Sequence, residues 1–135
     1  MPVPEVVREA TSRSGVVWLF VGDRAPKPVW HVWLDDADHV LHGGGEQQVA
    51  GLAEASRVTV GVRSRVTGGA LVRWGAAVRR VDPGSAEWLR LLPLLRGARR
   101  NAEADPSERW ARTCTLTKLV PTGDLSALVA TAGAD

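Results

Sequence analysis

The sequence predicts a mainly β, α+β fold: a six-stranded antiparallel split β-barrel with short flanking helices. Three observations predict it. Short segments rich in Val and Trp recur along the chain, separated by Gly, Pro and Asp turn signals. The links between several of them are short enough for hairpins, which pair strands antiparallel. Little helix is left to cover the strands, so two apolar sheet faces are hidden only by curling into a barrel, by dimerising, or by both. At 135 residues the chain suits one domain with one core. That domain spans residues 1–135, with its core in 13–120 and an Ala/Gly-rich tail, 121–135, expected to fray.

The elements follow in order. Residues 3–12 read as a short helix, with Val3, Val6 and Val7 apolar between charges and Pro4 limiting its start. Val16 to Val21 is a strand, apolar throughout and stopped at Gly22-Asp23, and both its faces are expected to be covered. Its outer face then needs a helix or a second subunit over it. Pro26-Lys27-Pro28 breaks the chain before a second strand, Val29 to Leu34. Asp35-Asp36-Ala37-Asp38 turns that strand into a third, His39 to His42. Gly43-Gly44-Gly45 ends it, and Val49, Leu52 and Ala53 lie at helical spacing, so a short helix is expected over Glu46 to Ala55.

Arg57 to Arg65 alternates, with Val58, Val60 and Val62 on one face and Arg57, Thr59, Arg63 and Arg65 on the other. After a turn at Thr67-Gly68-Gly69, Ala70 to Val81 forms a fifth strand with Val72, Trp74, Ala76 and Val78 inward and Arg73 and Arg79 opposite. Ser85 caps a helix over Ala86 to Arg100, whose stripe is Trp88, Leu91, Leu92 and Leu95, and Pro93 is expected to kink or shorten it. Asp105-Pro106-Ser107-Glu108 starts another helix. A sixth strand, Arg112 to Val120, completes the set.

Composition narrows the function. Seventeen basic against fifteen acidic residues give a net charge of only +2, too weak a field to favour nucleic acid as a partner. The longest apolar run, Gly15 to Gly22, is too short for a membrane helix. No secretory signal opens the sequence, and Cys114 stands alone, so neither an intramolecular disulfide nor a cysteine zinc site forms. A cytoplasmic protein is the expectation.

Among chemistry-bearing residues, Gly43-Gly44-Gly45 with Glu46-Gln47-Gln48 stands out. Glycines between a strand and a helix present amide N–H groups at the positive end of a helix dipole, where a phosphate binds, or they simply make a tight turn. His31 and His42 are candidates to line a pocket. His39 and His42 are three apart on one strand and so point to opposite faces, which opposes a shared metal. Arg63, Arg65, Arg73, Arg79 and Arg80 make one hairpin face basic, either as a ligand groove or as a solvated surface. Trp30, Trp33 and Trp74 either stack on a planar ligand or pack the core. Neither Cys114 nor any serine has the setting of a nucleophile.

Pro28-Val29-Trp30-His31-Val32-Trp33, the acidic turn, Val40-Leu41-His42, the Gly-rich loop and Arg57-Val58-Thr59-Val60 together resemble the pyridoxamine-phosphate-oxidase-like, FMN-binding split-barrel superfamily. The resemblance covers about residues 13–120 and implies a homodimer that binds FMN or a deazaflavin coenzyme and acts as an oxidoreductase on a small molecule. It places Trp30, His31 and Val32 near the cofactor ring, with His42. It places Gly43, Gly44, Gly45, Gln47 and Gln48 near the phosphate, and Arg63 and Trp74 at the pocket wall. No catalytic residue is implied, because the cofactor does the chemistry. The family's basic residue and Asn in the phosphate-binding helix are replaced here by Gln48-Val49-Ala50-Gly51-Leu52, so Arg63, Arg65 or a partner subunit's residue must supply the charge. The alternative is a degenerate member without flavin, acting as a dimeric small-ligand-binding protein or scaffold.

Overall fold

The structure is a computed structural model that describes residues 3–64, 69–99 and 105–125. Helix α1 (Glu5–Arg13) opens the chain, and strands β1 (Val16–Phe20), β2 (Lys27–Trp30), β3 (Val32–Leu34) and β4 (Ala37–Gly43) follow. A single 3-10 turn (Leu52–Glu54) leads to β5 (Arg57–Ser64) and β6 (Ala70–Val81). Helices α2 (Ala86–Ala98) and α3 (Ser107–Thr113) precede the last strand, β7 (Cys114–Leu125). The architecture is mainly β, as the sequence predicts.

All pairings are antiparallel, and the sheet runs β2-β1-β5-β6-β7-β4-β3. It has seven strands rather than six because the expected strand Val29 to Leu34 divides at His31. Trp30 pairs with Val16 of β1, whereas Val32 pairs with His39 of β4, so one residue joins the two outermost strands of the sheet. The sheet therefore curls back on itself, and His31 is the seam.

The turn after β3 is also tighter than expected. Asp35 and Asp36 both hold positive φ, 53° and 58°, which is the two-residue hairpin geometry that matches strand twist. Ala37 and Asp38 consequently belong to β4, and Asp38 is fully buried there. No α-helix forms over Glu46 to Ala55. Gly51 sits at φ 83°, and the side chains of Glu46 and Gln47 are turned back onto neighbouring elements, so the segment is tied down as a loop. At the other end β7 continues past Val120 to Leu125. Thr67, Gly68, Arg65, Arg100 and residues 126–135 of the expected tail lie outside the described residues.

Two apolar clusters fill the molecule. Inside the curl, Val17, Leu19, Val60, Val72, Trp74 and Leu119 pack together, and α1 closes one end with Val7 and Ala10. The second cluster lies outside the sheet, where Trp88, Leu91 and Leu95 of α2 and Trp110 of α3 cover Leu41 and Leu116. Ser85 caps α2 by accepting the Trp88 N–H at 3.1 Å, and the helix continues through Pro93, which is exposed.

Within the single chain the strand with both faces covered is β4. Residues Ala37 to His42 are all buried, because β4 lies between the inner core and α2. In β1 only Val17 and Leu19 face the core, and Val16 (50% exposed) and Trp18 (43%) face outward with nothing over them among the described residues. On the same outer surface Arg73 lies 4.8 Å from the Phe20 ring. The Phe20 ring rests over Gly61, where an added Cβ would come within 2.9 Å of it.

Candidate functional site

A cleft of about 590 Å³ opens between the start of β1, the end of β2, the loop after β4 and the end of α2, within the size range of small-molecule sites. Trp30 and Val16 give it an apolar side. Gly45, Glu46 and Gln47 form its floor, and Arg99 stands at its rim. The sheet register explains the placement: Trp30 ends β2 opposite Val16, and Gly43 ends β4, so the loop after it is delivered to the same edge.

Gln47 fixes this edge. Its Oε1 accepts the Trp30 N–H at 3.1 Å, and its Nε2 donates to the carbonyls of Trp30 (2.9 Å) and Leu41 (3.0 Å). A primary amide thus does for Trp30 what a neighbouring strand would do. The loop's own amides are partly spent as well, since Gly43 N–H donates to Gln47 O and Glu46 N–H to Gly43 O, each at 2.9 Å. Gln48 donates to the carbonyls of Gly44 and Glu46. Gly44 is held at φ 54°, with Thr113 Oγ1 only 2.6 Å from where a Cβ would stand, so this position admits glycine alone.

Glu46 is the most heavily engaged group. Its side chain is 1% exposed and accepts from Arg99 Nε at 2.6 Å, Arg109 Nη2 at 2.9 Å and Trp110 Nε1 at 2.9 Å. Burial opposes its charge, but the hydrogen bonds from Arg99, Trp110 and Arg109 outweigh it and hold the carboxyl below the usual range. It binds the loop to α2 and α3 at once.

Beneath the cleft lies the seam. His31 Nδ1 is 2.6 Å from Asp38 Oδ1, and His31 Nε2 is 2.7 Å from the Ser14 carbonyl. Burial works against charge on His31, but the adjacent Asp38 carboxyl and the Ser14 carbonyl hold its pKa above the ordinary value. Burial likewise pushes Asp38 up despite its histidine partner. Both directions describe one shared, buried proton. His39 and His42 point to opposite sides of β4. His39 Nδ1 meets the Val32 carbonyl at 3.1 Å, and His42 Nε2 meets Thr117 Oγ1 at 2.8 Å. Burial lowers the pKa of both.

Of the residues singled out in the sequence, the cleft collects Trp30, Gly45, Glu46 and Gln47. Gly43, Gly44 and Gln48 stand in the adjoining loop. Val32 is buried beneath α2, and His42 is buried with its bond to Thr117. Trp74 belongs to the core, where its indole donates to Thr11 Oγ1 at 3.1 Å and packs edge-on to Trp33, with ring centroids 6.1 Å apart. Arg63 lines a second, smaller cleft that adjoins the first along Gly15 and Val16. Asp38, Arg99 and Arg109 were not singled out as site residues. A positive-φ reading of Asp35-Asp36 as a two-residue turn places Asp38 inside a strand, and that signal was available in the sequence.

No protein-family model matches this chain, and no curated protein does. Solved structures do. HutZ, the heme storage protein from Vibrio cholerae, superposes with a TM-score of 0.62 at 14% identity, over 93% of this chain and 94% of that one. An F420 reductase gives 0.59 at 19% identity, over 90% and 97% of the two chains. A FAD-binding protein from Mesorhizobium loti gives 0.59 at 13%, over 93% and 92%. The fold is the split β-barrel that these structures share. Identities this low speak for the split barrel as a fold and leave the ligand to be argued from the cleft. In this split barrel the phosphate-loop helix anticipated after Gly45 is absent, so no helix dipole points into the cleft from that side.

Proposed function

We propose that the chain is a homodimeric split-barrel protein that binds a flavin or deazaflavin coenzyme, FMN among the candidates, and serves as an oxidoreductase for a small molecule. The observation that carries this reading is the cleft beside Trp30. It combines an aromatic side, an apolar Val16, a rigid floor at Gly45 to Gln47, and the Arg99 guanidinium. A planar ring with an anionic tail suits that combination. Trp30 and Val16 would flank the ring, and Arg99, steadied by Glu46, would face the anionic part. The bound coenzyme would supply hydride or electron transfer, and the chain's contribution is to bind, orient and keep water from the ring. Structures named as an F420 reductase and a FAD-binding protein share the fold, which supports the choice of coenzyme. The uncovered Val16 and Trp18 beside the cleft support a second copy as the partner.

Titration of the purified protein with FMN, FAD and F420, followed by quenching of coenzyme fluorescence, tests the reading. Saturable binding that weakens in Trp30→Ala and Arg99→Ala is expected. Absence of quenching by every coenzyme at high micromolar protein overturns it.

One observation favours a second reading, a dimeric small-ligand binder or scaffold without flavin. The Glu46 carboxylate already lies between Arg99 and Arg109, where an anion would otherwise sit. A colourless protein that stays dimeric on sizing and ignores all three coenzymes decides for it.

A further inference from the structure

Arg79 and Arg80 belong to the basic face marked in the sequence, and neither lines the coenzyme cleft. Both line a separate pocket of about 120 Å³, between the far ends of β6 and β7 and the 3-10 turn. Its inner wall is apolar, at Leu52 and Val78, where the core of the curl ends. Its polar wall is Thr115 and Thr117, and no acidic residue lines it among the described residues. The volume suits a small ion and lies below the usual range of sites for larger organic ligands.

The strand register places the groups. Arg80 stands directly opposite Thr117 across the β6–β7 pair, so their side chains share a face with Cβ atoms about 5 Å apart. Thr117 in turn meets His42 of β4, its Oγ1 lying 2.8 Å from Nε2. Arg80, Thr117 and His42 thus form a row across three neighbouring strands. Thr117 is only 2% exposed, so its hydroxyl is fixed by the fold, whereas Arg80 is exposed at the mouth. Among the described residues neither Arg79 nor Arg80 has a side-chain hydrogen bond or an ion pair.

The hydroxyl proton decides what this row can do. If His42 Nε2 accepts, the Thr117 proton is directed at the ring. If Nε2 carries the hydrogen and donates to Oγ1, the Thr117 proton is free to point into the pocket beside Arg80. An anion at Arg80 selects the second arrangement, because only that one offers it the extra donor. We infer that this pocket binds a small oxyanion of the size of inorganic phosphate, and that Thr117 relays its presence to His42. The guanidinium supplies the charge-assisted bonds that hold the ion. Burial and the Arg80 charge keep the His42 pKa down, against the opposing pull of Glu54 on the 3-10 turn. An anion offsets the Arg80 charge, so its arrival also favours the protonated ring. This site stands apart from the coenzyme reading.

Inorganic phosphate is the probe, and the His42 ring nitrogens are the readout, by nitrogen NMR of the full labelled chain without coenzyme. Ionic strength is held constant with chloride. Phosphate is expected to shift His42 saturably toward the form with hydrogen on Nε2 and to raise its pKa. By reciprocity, phosphate affinity is expected to increase as pH falls through the His42 titration. Arg80→Gln, at an exposed position, is expected to weaken binding about tenfold or more, the cost of lost charged hydrogen bonds. Thr117→Val is expected to silence the His42 response, and Thr117→Ser, which keeps the hydroxyl, to retain it. Adenosine monophosphate is expected to bind more weakly than the free ion. The inference is overturned by a response that chloride alone reproduces, by an Arg80→Gln chain that binds like wild type, by tighter binding of the nucleotide, or by no saturation at millimolar phosphate. No arm uses a flavin, so failure of the coenzyme titration leaves this result standing.

Discussion

His31 shows how much one side chain is asked to do at the seam. The Ser14 carbonyl can only accept, so Nε2 carries a hydrogen, and the 2.6 Å contact at Nδ1 then requires one proton between His31 and Asp38. Between about pH 4 and 6.5 the unfolded chain holds one proton on this pair. Above about pH 6.5 the unfolded histidine releases it while the folded pair, with its raised pKa, keeps it, so the pair's stabilising contribution is lost as pH rises through the folded value. His39 and His42 have the opposite sign, because their lowered pKa makes their contribution present above about pH 6.5 and lost as pH falls. Urea unfolding measured across pH is therefore expected to show greatest stability near neutrality. Asp38→Asn is expected to cost ~3 kcal/mol there and to flatten the alkaline decline, since it strands a buried partner. An unchanged alkaline limb in that variant counts against the shared proton. None of this was legible from spacing alone. An Asp in an acidic run reads as turn until the hairpin is recognised as two residues long.

Element boundaries were legible wherever burial alternates simply. Val58, Val60 and Val62 marked the inner face of β5, and Trp88, Leu91 and Leu95 marked the stripe of α2, and both face the core as read. Reading failed where a side chain rather than a backbone pattern decides the conformation. Val49, Leu52 and Ala53 have helical spacing, yet Gln47 and Glu46 divert the segment by bonding to Trp30, Leu41, Arg99 and Arg109. The two covered faces of β4 were missed for a related reason, since alternation cannot reveal them once histidines occupy the strand. Glu46 is the joint between the β4–β5 loop, α2 and α3. Glu46→Gln is expected to destabilise the protein by ~3 kcal/mol in equilibrium unfolding, because two arginines lose a buried counter-charge. It is also expected to remove stability that wild type has above about pH 4.5 and gives up as pH falls, the direction of a depressed carboxyl. If the variant unfolds like wild type at neutral pH, the joint is ornamental.

At the scale of the whole molecule, the uncovered Val16 and Trp18 mark where a second copy is proposed to sit. Sedimentation equilibrium is expected to give a dimer for wild type and a shift to monomer for Trp18→Glu, since a charge at the centre of an apolar contact must be desolvated. A monomeric wild type removes the dimer from the reading and leaves the barrel unaffected. The seam at His31 bears on the protein's behaviour at high concentration as well. Its two rim strands are among the shortest in the sheet, Lys27–Trp30 and Val32–Leu34. One carries Pro28, which offers no N–H, and the Trp30 amide and carbonyl are already taken by Gln47. A foreign strand seeking to add on would find almost no unoccupied backbone to template against. The folded chain should therefore resist fibril growth despite its abundance of valine.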